Sequence, residues 1–247
     1  AAIIVIGRSG SESVDLSVDY LSFTEEERSL IEMAQGRFDK IVLVLNVTNP
    51  INMTEIARYD IDAVLWVGAL GQEGAYAVGE ALNGTVNPSG HLVDTWAVDP
   101  VGSPAAANLG DYTITNSNVT SGNKYIVYAE GIYVGYRYYE TRYEDAVLGQ
   151  GNAGDYDYDD QVVYPFGYGL SYTDFTWSDY KMTETANGFA LNVTVKNTGS
   201  AAGKDVVQAY LQSPYTNYDK ANGIEKSAVE LVGFAKTDIL QPGESQT

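Results

Sequence analysis

The sequence predicts an α/β fold, a parallel sheet covered by helices and followed by a β-sandwich, and three observations carry that expectation. Strand and helix signals alternate through the first hundred residues, an order that calls for parallel strands joined by helical crossovers. The strand signals there are short continuous apolar runs, as strands buried on both faces require. From about Phe175 onward the signals are all β, with short strands at the spacing of a small sandwich.

The elements follow in order. Ala2 to Ile6 is an apolar run ending at Gly7, the first strand. Thr24 with Glu27 three residues on spells a capping box, and Leu30, Ile31 and Ala34 give the helix behind it one apolar stripe. Lys40 to Leu45 is the second strand, Met53 to Tyr59 a short helix, and Ala63 to Val67 the third strand. Gly71 to Leu82 opens on glycines and continues as a helix that Asn83-Gly84 stops. Three strands make a thin sheet, so further strands are expected before residue 1. Residues 100–124 read as loop, 125–143 as strand-like, and 149–160 as an exposed insertion. Phe189 to Val195 alternates as a half-buried strand, Asn197 to Ser200 is a turn, and Asp205 to Leu211 and Ala228 to Phe234 are further strands. The chain thus divides into an α/β domain truncated at its N-terminus (1–112), a linking segment with a Tyr- and Asp-rich insertion (113–173), and a β-sandwich truncated at its C-terminus (174–247). Both ends read as cut, so a larger parent protein is expected.

Composition removes several function classes. The 247 residues are 45% hydrophobic, enough for a core despite a net charge of -19. With 33 acids against 14 bases there is no basic footprint for nucleic acid, and an anionic membrane surface is equally disfavoured. No apolar run reaches the roughly 18 residues of a membrane span. The absence of cysteine removes thiolate nucleophiles and Cys-ligated zinc, and the single histidine, His91, removes a His-rich metal centre. His91 itself reads as a surface residue without a role. The acidic, lysine-poor, Tyr/Asn/Thr-rich composition leans extracytoplasmic.

Three stretches are candidates for chemistry. Arg8, Glu12 and Asp15 lie in a polar loop directly after the first strand, and ligand sites of open parallel sheets collect beyond the carboxyl ends of strands. A solvated loop with a local ion pair is the competing reading. Gly68 to Gly74 has the strand-to-helix context of an anion cradle, but neither the dinucleotide spacing nor a Walker lysine, so tight strand-to-helix packing reads better. Asp155, Asp157 and Asp159 alternate like the start of a calcium loop. Asp160 in the sixth position, where an EF-hand loop needs glycine, excludes an EF-hand, and an irregular calcium site stays open. With one histidine in this context, a Ser-His-Asp arrangement is not credible. Twenty tyrosines, mostly between Tyr112 and Tyr218, suit β-structure and equally suit sugar-facing surfaces.

Seven runs in order add a resemblance that spans nearly the whole chain. Gly7-Arg8-Ser9-Gly10-Ser11-Glu12 resembles a "G-R-x-S-G-E-G" loop, and Val64 to Gly74 a hydrophobic strand followed by "P-G-Q-E-G". Asn87 to Trp96 is similar to "N-P-S-G-R-L-P-D-T-W", and Tyr128 to Tyr138 to "Y-x-E-G-I-Y-V-G-Y-R-Y". Tyr164 to Thr173 (Y-P-F-G-Y-G-L-S-Y-T), Val195 to Gly199 and Leu240 to Ser245 complete the set. Together they resemble glycoside hydrolase family 3, the β-glucosidases and their relatives.

The resemblance implies a truncated, flavodoxin-like α/β sandwich followed by a fibronectin-type-III-like domain, without the barrel that holds the family's aspartate nucleophile. It implies that Glu12 is the general acid/base of a retaining, exo-acting β-glycosidase, with Arg8 and Asp15 shaping its loop. The nucleophile would lie outside this chain, and neither metal nor cofactor is implied. The implied partners are a β-glucoside or oligosaccharide substrate and the barrel of the same parent, so the chain alone is expected to be inactive. Ser11 and Ser13 stand where the family usually has glycine, and Leu16 where a basic residue often follows. These departures motivate the alternative of a non-catalytic carbohydrate-binding or structural module. A third reading, a nucleotide-binding α/β protein, fails on the Gly68 to Gly74 spacing.

Overall fold

The structure, a computed structural model, describes residues 1–8, 16–110, 112–115, 124–151 and 153–247. They form two compact units, each assembled from separate stretches of chain. One comprises Ala1–Ala69, Asp94–Phe166 and Leu211–Glu230, the other Leu70–Val93, Gly167–Tyr210 and Leu231–Thr247.

The first unit is built on β1 (Ala2–Gly7), β2 (Ile41–Asn46) and β3 (Ala63–Trp66), all parallel and in the order β1-β2-β3. Helix α1 (Glu25–Gln35) lies between β1 and β2 in sequence and buries Ile31 and Ala34. Its start is the expected capping box: the Thr24 hydroxyl accepts from the Glu27 amide, and the Glu27 carboxylate accepts from the Thr24 amide. Ile4, Ile6, Ile31, Ile41, Leu43, Leu45, Val47, Ile51 and Met53 make the core. The stretch expected as a short helix at Met53 to Tyr59 is a 3-10 turn, Thr54–Arg58. One expectation needs correction. β1 is not buried on both faces: Ile4 and Ile6 are buried, but Ile3 and Val5 are 55% and 61% exposed. A strand's side chains alternate between faces, and only one face of this edge strand is packed.

Beyond β3, helix α2 (Gly74–Leu82) ends at Asn83 and Gly84 as expected, with Gly84 at φ 80°. Strand β4 (Trp96–Ala97) then leads to a short helix, α3 (Pro104–Asn108), within the stretch expected to be loop. It forms because the Ser103 hydroxyl caps the Ala106 amide and Pro104 stands in the first turn, where its missing N–H costs nothing. Strands β5 (Tyr112–Thr113) and β6 (Lys124–Tyr125) pair antiparallel.

The largest correction is α4 (Tyr136–Leu148), which occupies much of the region expected to be strand-like. Tyr136, Tyr139 and Tyr143 are three and four residues apart, a helical stripe masked by the β-propensity of tyrosine. Gly135 at φ 57° and Gly149 at φ 62° delimit it. Its Tyr139 packs in a buried cluster with Ala97 and Val162 of β7 (Val162–Tyr164), the antiparallel partner of β4. The 149–160 segment is likewise not simply exposed. Ala153 is buried, the Arg142 guanidinium donates to its carbonyl (2.9 Å), and the Tyr158 hydroxyl donates to Glu140 (2.6 Å).

The antiparallel sheets carry the β half of the fold. β8 (Phe175–Thr185) and β9 (Gly188–Asn197) form a long hairpin, with a bulge between Ser178 and Lys181 where Asp179 takes φ 53°. β12 (Ser245–Gln246) adds to β9, giving the order β12-β9-β8. β10 (Val206–Leu211) pairs with β11 (Glu230–Lys236), and helix α5 (Asn217–Asn222) lies between them in sequence. Buried Asn197 ties the second unit together: it accepts from the Thr173 hydroxyl and donates to the carbonyls of Ala201 and Leu240, each at 2.8 Å. One parallel sheet followed by antiparallel sheets is the fold class the sequence indicates.

Candidate functional site

The carboxyl ends of the parallel strands converge on Gly7, Asn46 and Trp66. Arg8 extends the pairing by one residue, its amide donating to the Asn46 carbonyl at 3.1 Å. At the end of β3 the Trp66 indole donates to the Val47 carbonyl (2.6 Å), and its ring meets Trp96 edge-on with centroids 5.5 Å apart. The strand ends are thereby held on a rigid, apolar support.

Arg8 is the described residue on which the site turns. Its Nε donates to the Tyr20 carbonyl (3.1 Å), one Nη to the Ser22 carbonyl (3.0 Å) and to a Glu27 carboxylate oxygen (2.6 Å), and the other Nη to the Gly7 carbonyl (3.2 Å) and the second Glu27 oxygen. The Tyr20 ring lies 5.4 Å from the guanidinium carbon. The side chains of Arg8 and Glu27 are only 8% and 16% exposed. Burial works against the Glu27 carboxylate, but the Arg8 guanidinium and the Thr24 amide outweigh it and hold the carboxyl below its ordinary value. The Glu27 carboxylate in turn raises Arg8 against the cost of burial. Glu12 and Asp15 lie outside the described residues, so Arg8 is the one sequence-selected site residue whose contacts are described.

Sequence reasoning missed Glu27 and Tyr20. Glu27 was legible as a capping-box residue, but its pairing with an arginine 19 positions earlier is a tertiary fact. The glycine loop also needs correction. A Cβ on Gly68 or Gly71 would meet nothing within 4 Å, so close packing does not demand them, although Gly68 has φ 60°. Gly74 alone of these three is crowded, by Leu70 at 3.1 Å. His91 is half-buried rather than on the surface. Its ring lies against Gly169, where a Cβ would stand 3.0 Å from the imidazole and 2.6 Å from the Gly90 carbonyl oxygen. Leu92, directly after the Pro88-Ser89-Gly90-His91 run, pairs with the Phe166-Gly167-Tyr168-Gly169 run. The Leu92 amide donates to the Tyr168 carbonyl and the Gly167 amide to the Leu92 carbonyl, each at 2.8 Å. Among the described residues no group of three or more histidine, aspartate or glutamate side chains is arranged to hold a metal ion.

The profile of the glycosyl hydrolase family 3 C-terminal domain matches residues 1–136, more than half of the chain. The chain belongs to glycosyl hydrolase family 3. A β-glucosidase of Ruminococcus albus is 37% identical over all of this chain and 23% of its own length. β-Glucosidase A of Butyrivibrio fibrisolvens is 36% identical over 90% of this chain and 25% of its own. The chain therefore spans about a quarter of these family 3 relatives. Among solved structures, β-glucosidase 3B of Thermotoga neapolitana in complex with α-D-glucose superposes over 99% of this chain and 31% of its own, with a TM-score of 0.78 and 31% identity. A β-glucosidase of Paenibacillus barengoltzii does so over 99% of this chain and 24% of its own, with a TM-score of 0.76 and 35% identity. Arg8 is the last described residue before positions 9–15.

Proposed function

We propose that this chain is the acid/base-bearing part of a retaining, exo-acting β-glycosidase that hydrolyses terminal β-D-glucosyl residues. In this reading Glu12 is the general acid/base, Arg8 and Asp15 shape its loop, and the aspartate nucleophile is supplied by a barrel domain of the same parent. The observation that carries the reading is the family 3 match together with similarity, along this whole chain, to about a quarter of the length of a protein named a β-glucosidase. The Arg8 contacts support it, because they fix the chain at the carboxyl edge of the sheet, where ligand sites of open parallel sheets collect.

The chemistry runs as follows. A retaining glycosidase sets two carboxyl groups about 5–5.5 Å apart. One attacks the anomeric carbon while the other protonates the departing oxygen, and the second then takes a proton from the water that releases the sugar. The acid must keep its proton near working pH, which requires desolvation or a neighbouring negative charge. A loop on one domain can bring such an acid to a nucleophile on another, which is why this chain alone is expected to be silent.

The test is hydrolysis of nitrophenyl β-glucoside and β-xyloside by the 247-residue chain alone and with the rest of the parent added. Activity only on addition supports a divided site. Robust activity of the chain alone refutes the division, because a nucleophile would then lie within these residues. No activity in either case, with retained sugar binding, favours the non-catalytic module suggested by Ser11 and Ser13.

A further inference from the structure

Helix α4 presents two different faces. One buries Tyr139 against Ala97 and Val162. The other carries Glu140, Tyr143 and Val147, three and four residues apart and so set in one stripe. That stripe is one wall of a groove of about 660 Å³, whose other wall is formed by residues 156–159 and Pro165. The volume lies within the roughly 300–1,000 Å³ of sites that hold a small organic molecule.

The groove is formed in advance of any ligand. The Tyr158 hydroxyl donates to Glu140 (2.6 Å) and the Tyr156 hydroxyl to the Tyr139 carbonyl (3.3 Å). Arg142 lies 5.6 Å from the Tyr156 ring and donates to the Ala153 carbonyl. The second wall is thereby pinned to α4. Burial, and then the bond to Glu140, push the Tyr158 hydroxyl well above its ordinary pKa, so it stays a donor and holds that carboxylate in place. Tyr143 is more open. Its ring is 49% exposed and meets the Tyr158 ring edge-on with centroids 5.4 Å apart, an aromatic corner at the groove.

The lining sets the chemistry of the ligand. It carries the carboxylates of Glu140, Asp157 and Asp159, and no lysine, arginine or histidine lines it. Carboxylates only accept, so the ligand must donate, and a phosphate or a uronate is repelled. Among the described residues these carboxylates are not arranged to hold a metal ion. A neutral saccharide supplies what the groove asks for: hydroxyls for the carboxylates and C–H faces for the tyrosine rings. A small ammonium ion would satisfy the charge and leave most of the volume empty.

We propose that this groove binds a neutral oligosaccharide, with the Tyr143 ring as its platform and Glu140, Asp157 and Asp159 as hydroxyl acceptors. No residue of 9–15 lines it, and the proposal does not depend on the role of Glu12.

The full 247-residue chain is titrated with cellotriose and, separately, with choline, and amide NMR shifts are followed. Cellotriose should shift the amides of 140–147 and 156–159 and saturate at about millimolar concentration. The affinity should change by less than about twofold between about 20 and 500 mM salt, because a neutral ligand is not screened. Tyr143→Ala should weaken binding by about tenfold, and Tyr143→Phe, which keeps the ring, by less than about twofold. Val147→Arg, at a 64% exposed position, fills the groove and should abolish binding, which keeps the test decisive where Tyr143→Ala fails to fold. No shifts with cellotriose, shifts confined to other amides, or binding untouched by both Tyr143→Ala and Val147→Arg would overturn the proposal. Choline bound in place of cellotriose, and released as salt rises, would also overturn it and make the groove a cation site. The readout is binding and not hydrolysis, so failure of the Glu12 assignment would leave it unmoved, and an empty groove would leave that assignment standing.

Discussion

Arg8 and Glu27 join the end of β1 to the first turn of α1 through a bidentate ion pair, and Glu27 makes that pair while also closing the capping box with Thr24. One carboxylate thus fixes a helix start and a strand end. Its two duties share an atom, because the same oxygen accepts from both the Thr24 amide and an Arg8 Nη.

That sharing predicts non-additivity. Thr24→Ala should cost about 1 kcal/mol, the usual worth of an N-cap. Arg8→Met should cost more, about 2–3 kcal/mol, since it leaves the Glu27 carboxylate without its charged donor. The double variant should lose measurably less than the sum, because both changes act on one residue. Urea midpoints of the 247-residue chain check this, and strict additivity would show that the two contacts are independent.

Asp219 sets an acid limit on α5. Its carboxylate accepts from Lys226 Nζ (2.8 Å) and from the Thr216 hydroxyl (2.6 Å) and amide (2.7 Å), and these hold its pKa down to about 2. A carboxyl depressed in the folded state contributes stability that is present above its unfolded value and lost as pH falls. The contribution should therefore be complete above about pH 4 and disappear towards pH 2. Glu27, also lowered, adds in the same sense. Asp219→Asn should flatten this limb of a melting-temperature profile, and an unchanged slope would mean that the carboxylate is not ion-paired in solution.

Two glycines should respond to alanine with opposite sign. Gly79 lies inside α2 with nothing within 4 Å of an added Cβ, so Gly79→Ala should stabilise by about 0.5–1 kcal/mol. At Gly169 the added methyl would stand 2.6 Å from the Gly90 carbonyl oxygen, so the two runs must separate and about 1–3 kcal/mol should be lost. Thermal unfolding of the two variants gives both signs directly.

Asn197 is fully buried and uses both ends of its amide. Asn197→Ala should strand the Ala201 carbonyl and the Thr173 hydroxyl, leave the Leu240 carbonyl with the Gly203 amide alone, and cost about 3 kcal/mol. Asn197→Asp should also destabilise despite its similar shape, because a carboxylate cannot donate to Ala201 and Leu240. A tolerant Asn197→Asp would show that the carbonyls are satisfied by water.

What could be read from the sequence depended on how local the signal was. The capping box at Thr24, the strand that became β2 and the stop at Asn83-Gly84 are encoded within a few residues, and each stands where its pattern put it. Helix α4 was missed because Tyr136, Tyr138, Tyr139 and Tyr143 carry β-propensity, while tertiary burial of Tyr139 against Ala97 and Val162 favours the helix. The flanking Gly135 and Gly149 were the available clue. The open face of β1 was unreadable because Ile3 and Val5 look the same whether covered or not. At the site, Arg8 could be chosen from its place after a strand, but Glu27 and the carbonyls of Tyr20 and Ser22 reach it only through the fold.

The central claim is that Glu12 protonates the leaving group, and its most direct test is Glu12→Gln in the enzyme containing this chain and its nucleophile domain. The account predicts that kcat/KM on cellobiose falls by about 10²–10⁴. On 2,4-dinitrophenyl β-glucoside kcat/KM should be largely kept while kcat falls, because the glycosyl-enzyme then lacks its general base, and azide should partly restore that kcat by attacking the intermediate without one. Cellobiose hydrolysed at the unsubstituted rate would contradict the account.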